Sequence, residues 1–294
     1  MKLVNWRNKS MRLASFNVGG RDSYGIVSPD GGIVDLGKRL EQRSLLDLLG
    51  ANALDKAKDL SDERPDYALS EVALRIPIQG SEKIICVGIN YPEREEEYKG
   101  DLKRGGYPNL FVKFPTSFSA PGGEIIRPKV SEQLDYEGEV VLVIGKPGRH
   151  ITRDTALDHV AALTAANEGT VRDWLKHGTK NITQGKNFER SGSMGPWIVT
   201  TDELDPSDDI TITTRVNGEM RQNDSTKNMF WHFDELINYI STFITLRPGD
   251  LILTGTPVGA GAHMSPPTYL VPGDVVEVDV DGIGTLRNTV RDED

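Results

Sequence analysis

Val140 to Ile144 is an unbroken apolar run closed by Gly145, the pattern of a buried strand. The residues leading into it change the picture. Asp135, Glu137 and Glu139 recur at every second position, and in an extended chain alternate side chains share a face. Carboxylates side by side at the mouth of an apolar strand repel one another unless something positive sits between them. A hard divalent cation with oxygen ligands meets that need. The alternative is a solvated strand end with scattered acids.

Elsewhere the pattern divides the chain in two. Residues 1–75 read as a small N-terminal α+β domain. Met11–Phe16 alternates as a strand, and Tyr24–Val27 and Ile33–Leu36 flank a Pro29-Asp30-Gly31-Gly32 turn as a hairpin. Ser44 caps a helical stretch carrying Leu45, Leu46, Leu48 and Leu49. The acidic Asp59–Asp66 segment leads on to a larger, strand-rich domain over 80–294. Its strands include Ile84–Ile89, Leu110–Phe114, Glu124–Arg127, Val160–Ala166, Ile210–Val216, Leu251–Thr254 and Val275–Val280, with a tight hairpin turn at Asn217-Gly218. Phe233, Leu236, Ile237, Ile240, Phe243 and Ile244 recur at helical spacing, and Pro248-Gly249 stops that helix. Residues 92–106 are charged and end in Gly100, Gly105 and Gly106, so they read as a solvated surface helix or as a lid. The fold class is mixed, β-rich α+β.

Composition narrows the function. There are 34 basic and 44 acidic side chains in 294 residues, a net charge of −10, and no basic stripe, so nucleic acid is not an expected partner. The single cysteine, Cys86, forbids an internal disulfide and fits a reducing compartment. Inside Ile84–Val87 it reads as a small buried hydrophobe. No apolar run reaches membrane-spanning length, and the N-terminus lacks a signal-peptide core. The expectation is a cytoplasmic protein with no membrane partner. His150, His159, His177, His232 and His263 show no metal-ligand spacing and read as surface or polar-core residues.

Seven short motifs then occur in order: Gly-Ile-Asn-Tyr at 88–91, Asp-Tyr-Glu-Gly-Glu at 135–139, Asn-Glu-Gly-Thr-Val-Arg-Asp-Trp at 167–174, Lys-Asn-Phe at 186–188, Gly-Pro-Trp-Ile-Val at 195–199, Leu-Arg-Pro-Gly-Asp-Leu-Ile-Leu-Thr-Gly-Thr-Pro at 246–257 and Pro-Gly-Asp at 272–274. Together they resemble the fumarylacetoacetate hydrolase family over roughly residues 80–292. That resemblance implies a β-sheet roll with few helices, a homodimer, a magnesium-type ion (manganese or calcium being possible) and a small 2-oxo or 1,3-dicarbonyl acid as substrate. Carried over by position, it implies Glu137, Glu139 and Glu168 as metal ligands, Lys186 as the active-site lysine, and Tyr91, Gly255 and Thr256 as substrate contacts. Glu168 stands where the family most often has aspartate. It keeps the charge but reaches one methylene further, which magnesium's near-octahedral demand would register.

Two departures bear on the chemistry. Arg94 occupies the lid position where the family commonly has histidine, with Glu97 three residues on, and Leu175 stands where a glutamine is frequent. A guanidinium cannot act as a base at neutral pH, and leucine cannot donate to an oxyanion. Glu97 is then the expected base, and Arg94 a clamp for a substrate carboxylate. The expected activity is metal-dependent hydrolysis of a C–C bond in an acylpyruvate- or fumarylacetoacetate-type acid. The alternatives are a lyase or isomerase of the same family (a 2-oxo acid decarboxylase, a 3-deoxy-2-oxo sugar acid dehydratase or a tautomerase), and a non-catalytic binding protein on the same fold.

Overall fold

The computed structural model describes residues 11–92, 106–179 and 181–294. Its frame is a twelve-stranded sheet. At the centre Gly192–Thr200, Val160–Asn167, Gly138–Ile144 and Leu251–Leu253 lie side by side, followed outward by Ile84–Gly88 and Asn109–Val112. Val140, Leu142 and Ile144 face one core, and Val141 and Val143 face another. A strand covered on both faces has no polar side to show, which is why this segment is apolar without alternation.

The first core is roofed by a second sheet of five strands: Glu219–Ser225, Thr211–Val216, Val275–Val280, Gly284–Asp292 and Glu124–Arg127. Ile212, Val278, Val280 and Leu286 pack there with Leu163, and the Phe233–Phe243 helix adds Phe233, Leu236, Ile237 and Ile240. Those four are members of the helical stripe read from the sequence, and each is buried. The architecture is therefore sheet on sheet with few helices, a β-rich α+β fold as expected.

The N-terminal elements form where local chemistry dictates. Val27 pairs with Ile33 across the expected hairpin, and the Ser44 hydroxyl accepts from the Asp47 amide at 3.0 Å to cap the Leu45–Gly50 helix. Their packing is less local. The Arg12–Val18 strand pairs antiparallel with Gly192–Thr200, Leu13 opposite Ile198, so the sheet runs on without a break across residues 75–80. Leu13, Leu45 and Leu48 share the second core with Cys86, Val141 and Leu253. Cys86 is a fully buried free thiol, as its apolar neighbours imply. No helix among the described residues is long and apolar enough to cross a membrane.

One expectation fails at the mouth of the acidic strand. Leu134–Asp135 pairs with Thr170–Val171 in a separate two-stranded ladder, and the large sheet takes over only at Gly138. The period of two breaks between them, so Asp135 does not join Glu137 and Glu139.

Candidate functional site

Glu137 and Glu139 bracket the first residue of the central strand. Glu168 follows the neighbouring strand, which ends at Asn167. Strand pairing sets Gly138 opposite Asn167, and the Glu168 amide donates to the Glu137 carbonyl at 2.7 Å. The three side chains are only 2, 1 and 1 % exposed, and each offers an oxygen within 4.8 Å of the other two. A magnesium ion at ~2.1 Å from each ligand needs oxygens about 3.0–4.2 Å apart, so small side-chain adjustments would close the set.

Three buried cations hold these carboxylates in place. Lys186 Nζ donates to Glu137 Oε2 at 2.5 Å, to Glu168 Oε2 at 2.9 Å and to the Thr170 hydroxyl at 2.9 Å. Those contacts occupy its three N–H donors, so here Lys186 orients the carboxylates rather than reaching for an oxyanion. Arg172 bridges Asp135 Oδ2 (Nε, 2.7 Å) and Glu137 Oε1 (Nη2, 2.8 Å). Lys113, fully buried, lies 3.3 Å from Glu168 Oε1 and donates to the Gly169 carbonyl at 3.0 Å. Asp135 accepts from the Gly261 and Ala262 amides at 2.9 and 3.0 Å, so it anchors a loop instead of a metal.

The electrostatics leave room for a further positive charge. Asp135, Glu137, Glu139 and Glu168 are buried with Lys113, Arg172 and Lys186, four acids against three cations. Glu139 has no cation partner among the described residues and accepts only from the Gly255 amide, at 2.8 Å. Burial, aided by repulsion from Glu168 and Glu137, pushes its carboxyl well above the usual range. Glu168 is also raised by burial, against the opposing pull of Lys186 and Lys113. Burial alone would lower Lys186, but Glu137 and Glu168 more than offset it and hold the ammonium protonated. Buried Glu168 Oε1 accepts no hydrogen bond among the described residues, its ion pair with Lys113 at 3.3 Å being too poorly aligned to donate one. An under-donated carboxylate oxygen and an uncompensated carboxyl, both hard oxygen donors, fit a divalent cation.

The triad opens into a cavity of about 620 Å³ walled by Phe111, Leu175, Ile182, Thr256, His263 and Tyr269. Leu175 supplies an apolar wall where a donor was looked for. Thr256 faces the cavity and accepts from Gln222 Nε2 at 2.8 Å, while Gln222 Oε1 accepts from the Gly138 amide. Gly255 contributes its amide to Glu139; its φ is +100°, and a Cβ there would meet the Asn90 Cβ at 2.6 Å, so only glycine fits. Tyr91 lies elsewhere. Its ring is in the first core, and among the described residues its buried hydroxyl has no hydrogen-bond partner and it is not part of the cavity wall. Arg94 and Glu97, with the rest of 93–105, fall outside the described residues. Sequence reasoning passed over Lys113 and Gln222, and it read His263 only as a surface or polar-core residue. Lys113 leaves a trace, a lone charge inside the apolar strand read over Leu110–Phe114. A larger groove of about 1320 Å³ runs past Leu46, Asp55, Lys146 and Arg247, away from these groups.

Comparison with known proteins identifies the family. The fumarylacetoacetate hydrolase C-terminal sequence profile matches residues 83–291. The chain is 37% identical over 291 residues to the mitochondrial oxaloacetate tautomerase fahd2 of Xenopus laevis, covering 96% of this chain and 90% of that one. Among solved structures, a probable 2-hydroxyhepta-2,4-diene-1,7-dioate isomerase from Mycobacterium abscessus is similar with a TM-score of 0.82 at 36% identity, over 97% of this chain and all of the other. A fumarylacetoacetate hydrolase from Exiguobacterium antarcticum is similar with a TM-score of 0.83, also at 36% identity and the same coverage. Two of these three relatives carry the names of tautomerising or isomerising enzymes, which favours the alternative over the hydrolase expectation. Match, fold and site together make the chain a member of the fumarylacetoacetate hydrolase family.

Proposed function

We propose that this chain catalyses the divalent-metal-dependent keto–enol tautomerisation of a short 2-oxo diacid of the oxaloacetate type. The observation that carries this reading is the buried Glu137–Glu139–Glu168 triad opening into a cavity partly walled by Phe111, Leu175 and Ile182. Glu137, Glu139 and Glu168 would hold a divalent ion, which would supply Lewis acidity towards the 2-oxo acid head of such a substrate. The chain's own residues do the rest. Lys186 and Arg172 fix the carboxylates through the 2.5–2.9 Å contacts above, so the ligand set does not reorganise as charge develops. Phe111, Leu175 and Ile182 give the cavity an apolar wall, and a lower local dielectric there raises the worth of each charge. Tautomerisation needs only a proton moved between C3 and the 2-oxo oxygen. Hydrolytic cleavage needs in addition a positioned water, and Leu175 offers it no hydrogen bond. The names of the Xenopus and Mycobacterium relatives point the same way.

The test follows the decay of freshly dissolved enol-oxaloacetate by its ultraviolet absorbance, with magnesium or with chelator. Metal-dependent acceleration is expected. In parallel, acylpyruvates are incubated and their products read by mass. Cleavage products with no tautomerase activity would return the assignment to a hydrolase. We also expect a homodimer in solution, with a light-scattering mass twice the 32.4 kDa of the chain; the monomer mass would refute it.

A further inference from the structure

A tautomerase must hold a proton between C3 and oxygen, and the metal ligands are not free to carry it. The geometry points to His263 as the acid–base residue of the cavity, the group that takes the C3 proton of the 2-oxo acid; this rests on the tautomerase reading above. His263 is half-buried and lines the same cavity as Glu137, Glu139 and Glu168.

Its loop is built on the segment that presents those ligands. Asp135 accepts from the Gly261 and Ala262 amides at 2.9 and 3.0 Å, the Tyr136 hydroxyl donates to the Gly259 carbonyl at 2.9 Å, and the Leu270 amide donates to Leu134 at 2.9 Å. The loop closes on itself as the Thr268 amide donates to the Gly261 carbonyl at 2.9 Å. A Cβ on Gly261 would lie 2.0 Å from the Thr268 carbonyl oxygen, so the closure requires glycine. Arg172 locks Asp135 with one nitrogen and Glu137 with another. Asp135-Tyr136-Glu137 therefore sets a ligand on one side and the His263 backbone on the other, which fixes an acid–base group relative to the chelated head of a substrate.

Among the described residues, the other ionisable groups lining the cavity are unsuited to the task. Glu137, Glu139 and Glu168 are the ligand set, and Lys186 is held protonated by two of them. A guanidinium such as Arg172 does not give up its proton. Burial, with Asp135 adding to it, raises the Tyr269 phenol, so it keeps its proton at neutral pH. Asp173 accepts from the Ser131 hydroxyl at 2.6 Å, and Lys176 is exposed at the rim. Imidazole is the side chain that ordinarily gains and loses a proton near neutral pH. In the step, its unprotonated ring nitrogen removes the C3 proton. The C–H electron pair becomes the C2=C3 bond, the C2–O π pair moves to oxygen, and water protonates that oxygen while the imidazolium returns its proton to water. No other reactant is consumed.

The experiment compares wild type with His263→Gln in two measurements. In turnover of enol-oxaloacetate with magnesium, the variant is expected to lose about 100-fold in kcat. Its KM should change little, free imidazole should restore part of the rate, and magnesium affinity by calorimetry should stay unchanged. A variant within about threefold of wild type overturns the assignment. The second measurement needs no turnover. Histidine-labelled protein with magnesium is titrated with 3,3-difluorooxaloacetate, which has no C3 hydrogen and cannot enolise. The ring signal that His263→Gln removes should move on binding, and a signal that stays put also overturns the assignment. A wild type inactive on enol-oxaloacetate would sink the tautomerase reading alone, leaving the ring signal to decide whether His263 meets the ligand.

Discussion

Glu139 is the residue on which the site's charge balance turns. Its carboxyl is raised by burial and by Glu168 and Glu137, so without metal the native state keeps a proton that the unfolded chain releases above the ordinary value of 4.5. Stability of the metal-free protein is then greatest below that value and falls as pH rises towards the folded-state pKa. In chelator, the melting temperature should be lower at about pH 8 than at about pH 5. Glu139→Gln keeps an acceptor for the Gly255 amide, so it should shrink that difference and abolish magnesium binding by calorimetry. A variant that still binds magnesium normally would remove Glu139 from the ligand set. At this scale the gathering of Glu137, Glu139, Glu168 and Lys186 was legible because each lies in a motif. Lys113 was not readable because its partners, the Gly169 carbonyl and Glu168, lie more than fifty residues along the chain. Asp135 was misread because spacing alone does not reveal that a strand changes partners.

Elements bring the ligands together through close backbone approach. The Gly169 backbone lies so near Ser191 that an added Cβ would sit 1.8 Å from the Ser191 carbonyl oxygen, and backbone cannot swing aside as a side chain does. Gly169→Ala should therefore cost about 3 kcal/mol, the upper end for overpacking. Because it shifts the neighbouring Glu168, it should also weaken magnesium binding by about tenfold or more. Gly50→Ala is the control. Nothing lies within 4 Å of its would-be Cβ, and its stability should stay within about 0.5 kcal/mol of wild type. Equal effects of the two would refute the close-approach account. Hairpins, caps and the 233–243 helix could be read in advance because each depends on residues a few positions apart. Asn217 and Gly218 take φ of +54° and +79°, the pair of positive angles that an Asn-Gly hairpin turn demands. The pairing of residues 12–13 with 198–199 rests on packing between distant segments and left no local signature.

In the molecule as a whole, the excess of buried acids over buried cations predicts that a divalent metal stabilises the fold. At a hundredfold excess over its dissociation constant, magnesium should add about 2.7 kcal/mol, or roughly 5 °C in melting temperature. Calorimetry showing no shift would argue against a resident ion. The seam between Leu13 and Ile198 also bears on how the chain could be cut. A fragment starting at residue 80 would retain all three ligand carboxylates and Lys186. It would also leave the Trp197-Ile198-Val199 end of a sheet strand as a bare edge and strip the cover from Val141, Val143 and Leu253. Such edges recruit other chains. Expressed alone, the fragment should collect in inclusion bodies; supplying residues 1–79 as a separate polypeptide should return part of it to solution. The stretch of chain in which no chemistry was found would then act as a built-in chaperone for the stretch that holds it.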